Sequence, residues 1–165
     1  MCLALPDLIK ALQWSPQDTG LAVVLGSRDT QLVPTKLLPQ LGASVASELQ
    51  FKWLPSLLSK HPHRPVHGLN GAAERVGEFE KAQYKATQVA GGLKRILVLD
   101  DMITRGSTLT HIAQAVRAIY PEMEIVGISL GKNEKQACAA LFGHSISNDS
   151  VPHSWATAWD GCAEE

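Results

Sequence analysis

Apolar and polar positions along the chain switch between helical spacing and short continuous runs, and their order predicts an α/β fold. Residues 3–13 place apolar positions at helical spacing and predict a helix. Trp14-Ser-Pro-Gln-Asp-Thr-Gly20 is a turn cluster, and Ala22-Val-Val-Leu-Gly26 reads as the first core strand. From Thr35 to about Leu49 a helix is predicted, with Leu38, Leu41, Val45 and Leu49 on one side and Pro39 in its first turn. Residues 51–92 are irregular. They hold three prolines, three histidines and five glycines. A structureless stretch of that length is unusual, so it should be a functional loop or hold a short helix, for which Ala72–Ala86 is the candidate. Ile96 to Leu99 is a continuous apolar run, as in a strand buried on both faces of a parallel sheet. Leu109, Ile112, Ala113, Val116 and Ile119 then mark a helix that starts near Ser107 and stops before Pro121. Glu124–Leu130 is the following strand, and a short helical stretch is predicted near Ala137–Phe142. Strand, helix, irregular insert, strand, helix, strand is the pattern of a parallel sheet with right-handed crossovers.

The most informative segment is Ile96-Leu-Val-Leu-Asp-Asp-Met-Ile-Thr-Arg-Gly-Ser-Thr108. Asp100 and Asp101 end the apolar run. A strand interior does not tolerate two charges, so the chain is expected to leave the core there. Gly106 permits a positive φ and close approach of a ligand to the backbone. A helix beginning at Ser107 or Thr108 aims unpaired N–H groups and its dipole at the turn, which favours an anion. The hydroxyls of Thr104, Ser107 and Thr108 can add hydrogen bonds to phosphate oxygens. A carboxylate at a strand end can accept bonds from ribose hydroxyls. Other phosphate motifs fail. The chain has neither G-x-x-x-x-G-K-[ST] nor a G-x-G-x-x-G after a strand. A haloacid-dehalogenase type phosphatase would need an Asp two positions after its nucleophile, where this chain has Met102 or Ile103.

The segment resembles the phosphoribosyl pyrophosphate (PRPP) motif of type I phosphoribosyltransferases. That motif has four apolar residues, two acidic, two apolar, then T-T/A-G-x-T. Every class matches except Arg105, where a small residue is usual. The resemblance implies a parallel-sheet type I phosphoribosyltransferase fold, with helices on both faces and a small hood drawn from the N- and C-terminal segments. It implies that Asp100 and Asp101 contact the ribose 2′ and 3′ hydroxyls, and that Thr104, Arg105, Gly106, Ser107 and Thr108 wrap the 5′-phosphate. Arg105 either adds charge to that pocket or points to solvent. Ser27 and Arg28, in the turn after the first strand, would hold pyrophosphate; the other reading of Arg28 and Asp29 is a solvent-exposed ion pair. Leu69-Asn-Gly-Ala-Ala-Glu-Arg-Val-Gly77 is similar to the ComF-type branch, which places an arginine, here Arg75, in the mobile loop before the PRPP strand.

The implied activity is transfer of phosphoribose from PRPP to a nitrogenous base or amine, with release of pyrophosphate. Mg²⁺ is the implied cofactor, reached through water by Asp100 and Asp101 rather than bound directly. Asp100, Asp101 and Arg75 would be the catalytic groups. The alternative is a non-catalytic PRPP- or nucleotide-binding accessory protein of the ComF type. A PRPP synthetase would need two such domains. A homodimer is a further expectation of the family.

Composition sets the bounds. The chain has 165 residues, 45% hydrophobic and 19% charged, which fits a single globular domain (1–165) with its core over about 20–131. A formal charge of −1 gives no electrostatic case for nucleic acid or membrane, and no apolar run is long enough to span a bilayer. Asp7 and Lys10 interrupt the N-terminal apolar stretch, so it does not read as a signal peptide. Cys2, Cys138 and Cys162 are scattered, as in a cytoplasmic protein.

The remaining candidates are weaker. Lys81, Tyr84 and Lys85 could screen the departing diphosphate, or belong to a charged helix face with Glu74, Glu78 and Glu80. His61, His63 and His67 suggest a metal cluster, but Pro62 and Pro65 extend the segment and a polar surface loop is the better reading. Trp155 and Trp159 anchor the tail in preference to stacking on a base, and Lys132 and Asn133 could reach one.

Overall fold

A computed structural model describes residues 5–10, 12–65, 69, 72–89, 91–103 and 106–131. The predicted helix at Ala137–Phe142, together with Thr104, Arg105, His67, Lys132, Asn133, Trp155, Trp159 and the three cysteines, lies outside these residues. The elements are α1 (Leu5–Lys10), a 3₁₀ turn (Pro16–Asp18), β1 (Thr19–Val23), α2 (Leu37–Leu49), β2 (Lys52–Trp53), β3 (Leu58–Ser59), α3 (Ala72–Ala82), β4 (Lys85–Ala86), β5 (Arg95–Asp100), α4 (Ser107–Arg117) and β6 (Glu124–Ser129).

Four strands form one sheet in the order β2-β1-β5-β6, and every pair is parallel. The central ladder matches Thr19 with Arg95 through Val23 with Leu99. Side chains alternate across it. Ala22, Ile96, Val98 and Ile125 pack beneath Leu109, Ile112, Ala113 and Val116 of α4. Leu21, Val23, Leu97, Leu99, Val126 and Ile128 face the other way, onto Ile9 of α1 and Val45, Ala46 and Leu49 of α2. The sheet thus carries helices on both faces. From β1 the chain crosses by α2 to one side; from β5 it crosses by α4 to the other. Opposite directions on opposite faces give the two crossovers the same hand. The strand order reverses between β1 and β5, and ligands of open α/β sheets bind beyond the carboxyl ends at such a switch point.

Several boundaries differ from the sequence reading. β1 starts at Thr19 rather than Ala22, because Thr19 hides its hydroxyl against the Ser15 carbonyl at 2.6 Å and Gly20 fits close to Leu54 and Leu93. Beyond Val23, residues 24–26 leave the strand. The helix of the insert ends at Ala82, with Gln83 at φ 43°, and Lys85 belongs to a strand instead. There β3 and β4 pair as a short antiparallel ribbon. Ile119 follows the end of α4 and is 40% exposed, off the apolar face to which its spacing assigned it. α1, a candidate for the hood, packs with α2 as part of the core.

Gly42 marks the closest approach of α2 to the sheet. A Cβ there would collide with Val23 Cγ1 and lie 2.9 Å from the Trp53 ring. Gly77 of α3 has open space around the same position. Gly42→Ala is therefore expected to lower the unfolding free energy by about 1–3 kcal/mol. Gly77→Ala should raise it by about 0.5–1 kcal/mol. Urea denaturation of both variants checks the contrast.

Candidate functional site

The carboxyl ends of β1 and β5 run side by side to the edge of the sheet. The Val24 N–H donates to the Leu99 carbonyl at 2.9 Å, one step past the ladder. β1 then turns through Gly26, Ser27 and Arg28, with the Asp29 N–H on the Gly26 carbonyl at 2.9 Å. Both carboxylate oxygens of Asp29 accept from Lys36 Nζ, at 2.6 and 2.7 Å. A Cβ on Gly26 would lie 2.6 Å from Asp29 Oδ2, so the glycine makes room for this pair. The ion pair read for Arg28 and Asp29 is therefore replaced. Asp29 turns to Lys36, and Arg28 is exposed with no ion pair among the described residues.

At the neighbouring strand end the two aspartates have different environments. Asp100 is still part of β5, paired in register with Ser129, and is 6% exposed. Asp101 is exposed. The expectation that both leave the core is corrected for Asp100. The strand tolerates it because Oδ1 accepts the Asp101 N–H at 2.9 Å and its charge is suppressed. Burial, followed by hydrogen bonding and repulsion from the Asp101 carboxylate, pushes the Asp100 carboxyl up to about 7. The chain beyond β5 is tied to the chain beyond β6 through Leu130 N–H on Asp100 O and Ile103 N–H on Gly131 O.

Gly106 then caps α4 at φ 73°, in the left-handed region that favours glycine. It offers the helix no side-chain acceptor. Its carbonyl takes the Thr110 N–H at 3.0 Å and the Thr110 hydroxyl at 3.2 Å. Ser107 and Thr108 stand half-buried in the first turn, where backbone N–H groups and the helix dipole favour an anion.

The fold thus brings Asp100, Asp101, Gly106, Ser107 and Thr108 to one strand end and Ser27 and Arg28 to the adjacent one, across the switch point. Thr104 and Arg105 complete the motif in sequence only. Arg75 lies in the first half of α3, within the insert.

The insert holds one buried charge that the sequence did not single out, Lys60, beside several candidates that it did. Lys60 is 5% exposed, and its ammonium donates to the Ser27 carbonyl at 2.8 Å. Burial, partly offset by Asp29, lowers it to about 8. The Tyr84 ring lies 6.0 Å from this ammonium, and burial together with the nearby Asp100 pushes the phenol up. Glu78 is 2% exposed; it accepts from Arg64 N–H at 2.9 Å, Arg64 Nε at 3.2 Å and Lys81 Nζ at 2.8 Å. Those donors, Lys81 first, hold Glu78 down at about 2. Lys81 is thus engaged on its own helix. His61 is exposed, but His63 is not simply a surface residue. Its N–H donates to Ser27 O at 2.9 Å, its Nδ1 lies 2.8 Å from Arg64 O, and burial pushes its imidazole down. Phe79 stacks on His111 of α4 with ring centroids 5.0 Å apart, fastening α3 to α4. A cavity of about 400 Å³ opens between Arg28, His63, Arg64, Glu78 and Lys81. Glu78, Phe79 and Ala82 form the buried side of α3, a pattern visible on a helical wheel once that helix is known. Lys60 follows a two-residue strand, and no periodicity marks it.

No family model, curated protein or solved structure matches the chain. No helix among the described residues is long and apolar enough to cross a membrane.

Two pH dependences follow. The Asp100 carboxyl is raised on folding, from 3.8 to about 7. Its contribution to stability is complete below about 3.8 and is lost as pH rises through 7. Asp100→Asn should therefore flatten the stability profile between about pH 4 and 7, and at pH 8 should be more stable than wild type by on the order of 2 kcal/mol. Thermal melts across that range check this. Glu78 is depressed on folding, from 4.5 to about 2. Its contribution is present above 4.5 and is lost as pH falls through 2, so Glu78→Gln should remove acid sensitivity in that window. Circular dichroism during acid titration of wild type and variant measures the difference.

Proposed function

We propose that the protein is a phosphoribosyltransferase of type I architecture that uses PRPP and releases pyrophosphate. The observation that carries this reading is the meeting, at the switch point between β1 and β5, of three groups: the Asp100–Asp101 pair, the glycine-capped start of α4, and the Ser27–Arg28 turn. Each suits one part of the ligand. Carboxylates accept hydrogen bonds from vicinal ribose hydroxyls. The first turn of α4 suits a 5′-phosphate. The turn after β1, with an exposed guanidinium, suits a diphosphate.

In the proposed reaction a nitrogen lone pair of the acceptor forms a bond to the ribose anomeric carbon. The bond from that carbon to the diphosphate oxygen breaks, its electron pair leaves with pyrophosphate, and the acceptor nitrogen loses a proton to solvent. The transition state has oxocarbenium character by analogy with other glycosyl transfers. The Asp101 side chain, exposed at the strand end, faces the positive charge that develops on the sugar. Asp100, buried and with its carboxyl pushed up by that burial, serves as donor or acceptor to a hydroxyl. Arg75 is assigned to the departing diphosphate, carried on the insert that packs against α4. The oxygen-only donors of Asp100 and Asp101 fit Mg²⁺ held through water; when bound, the ion would neutralise diphosphate charge. The acceptor is a nitrogenous base or amine, and the reaction belongs to soluble nucleotide chemistry in the cytoplasm.

Isothermal titration with PRPP in the presence of Mg²⁺ tests the reading. Wild type should bind, and Asp100→Asn and Asp101→Asn should each weaken binding at least about tenfold, the loss of one good charged hydrogen bond. No binding, or equal binding by all three, sinks the proposal. Pyrophosphate release across a panel of purine, pyrimidine and pyridine bases then separates an enzyme from an accessory protein that binds without turnover.

A further inference from the structure

Lys60 is an anomaly in this fold. A lysine that is 5% exposed normally faces a carboxylate. This one directs its ammonium to two backbone carbonyls, Ser27 at 2.8 Å and His61 at 3.5 Å. Asp29 is near enough to act on it electrostatically, but both Asp29 oxygens are engaged by Lys36. The Ser27 carbonyl also receives a second donor, the His63 N–H at 2.9 Å. A third bond, Lys60 N–H to Thr30 O at 3.0 Å, runs the same stretch of insert alongside the turn after β1. One carbonyl of a surface turn therefore takes two donors from one segment of the insert, and one of them carries a full charge.

The geometry of the peptide gives this a consequence. In a trans peptide the C=O and the following N–H point in opposite directions, and the chain has no cis peptide among its described residues. Pinning the Ser27 carbonyl against the insert turns the Arg28 N–H away from it. It also removes from the turn an oxygen that would repel an anion. The Arg28 side chain meanwhile lines the cavity, whose other cations there, Arg64 and Lys81, are both paired with Glu78.

We infer that Lys60 is a positioning residue for the diphosphate end of the ligand. It holds the Ser27–Arg28 turn with its carbonyl withdrawn and its amide presented, and it does not itself contact the sugar phosphate held at the start of α4. The inference rests on the proposed reading of the site. It adds that the two ends of the ligand are held by separable devices, one set by β5 and α4 and the other by a buried lysine in the insert.

Titration of the full chain with two separate probes tests this: Mg²⁺-pyrophosphate and ribose 5-phosphate. Lys60→Met keeps the length and apolar stem of the side chain, and Lys60→Arg keeps the charge. Lys60→Met should weaken pyrophosphate binding at least tenfold and leave ribose 5-phosphate affinity within twofold. Lys60→Arg should recover part of the loss. Amide chemical shifts of Ser27, Arg28 and Asp29 should move in the methionine variant while those of Ser107 and Thr108 stay in place. A purely structural role for Lys60 would weaken both probes together and overturns the inference. Unchanged pyrophosphate binding by Lys60→Met overturns it as well, while leaving the ribose-phosphate grip standing if that probe binds. Failure of wild type to bind either probe overturns the site reading and this inference together.

Discussion

The parallel pairing of β1 with β5 is the constraint on which the rest of this structure depends. It joins segments far apart in the sequence, Thr19 with Arg95 at one end and Val23 with Leu99 at the other. Both strands are buried on both faces, so a shift of register by one residue would exchange the α4 side with the α2 side. The ladder therefore fixes which turn stands beside which. The Val24 bond to Leu99 carries this alignment one residue past the ladder, so the Gly26–Arg28 turn and the two aspartates follow adjacent strand ends. Neither half of the crevice is built by its own segment alone.

Much of this was legible in the sequence where the pattern was long or chemically extreme. Ile96–Leu99 reads as a strand buried on two faces, and the spacing from Leu109 to Val116 as a helix lying on it, and both are found. The motif that follows Leu99 placed a glycine where φ is positive and a helix start just after it. What the sequence hid was short or depended on distant partners. Three strands have two residues each, too few for any period. Asp100 looks identical to Asp101 in sequence, and only the continuation of β5 along β6 buries one and exposes the other. Lys60 and Glu78 look like ordinary surface charges until the ribbon and α3 fold over them.

The electrostatics of the crevice follow from that burial. Its charges sit at two depths. Asp100, Lys60 and Glu78 are enclosed, and each has a shifted titration with a local cause: desolvation and then Asp101 for the first, desolvation for the second, hydrogen-bond donors for the third. Asp101 and Arg28 stand at the surface. Enclosed groups hold the backbone and one another in place, so the outer groups face solvent with little reorganisation left to make. Preorganisation of this kind lowers the cost of presenting charge at a surface.

Tyr120 fastens the far end of the insert. Its hydroxyl accepts the Val89 N–H at 2.6 Å and lies 3.1 Å from the Val89 carbonyl, while the near end is held by the Leu54 N–H on the Leu21 carbonyl. With both ends clamped to the core, the chain between them behaves thermodynamically as a closed loop. The entropy of closing such a loop grows only with the logarithm of its length, about 0.6 kcal/mol for each doubling. Added length at exposed positions between the clamps thus costs little closure entropy, whereas Leu57 and Leu58 share the core of Ile96 and Val98 and tie this stretch to the sheet. The border of the crevice can therefore vary in length at its exposed turns while its buried residues hold the fold.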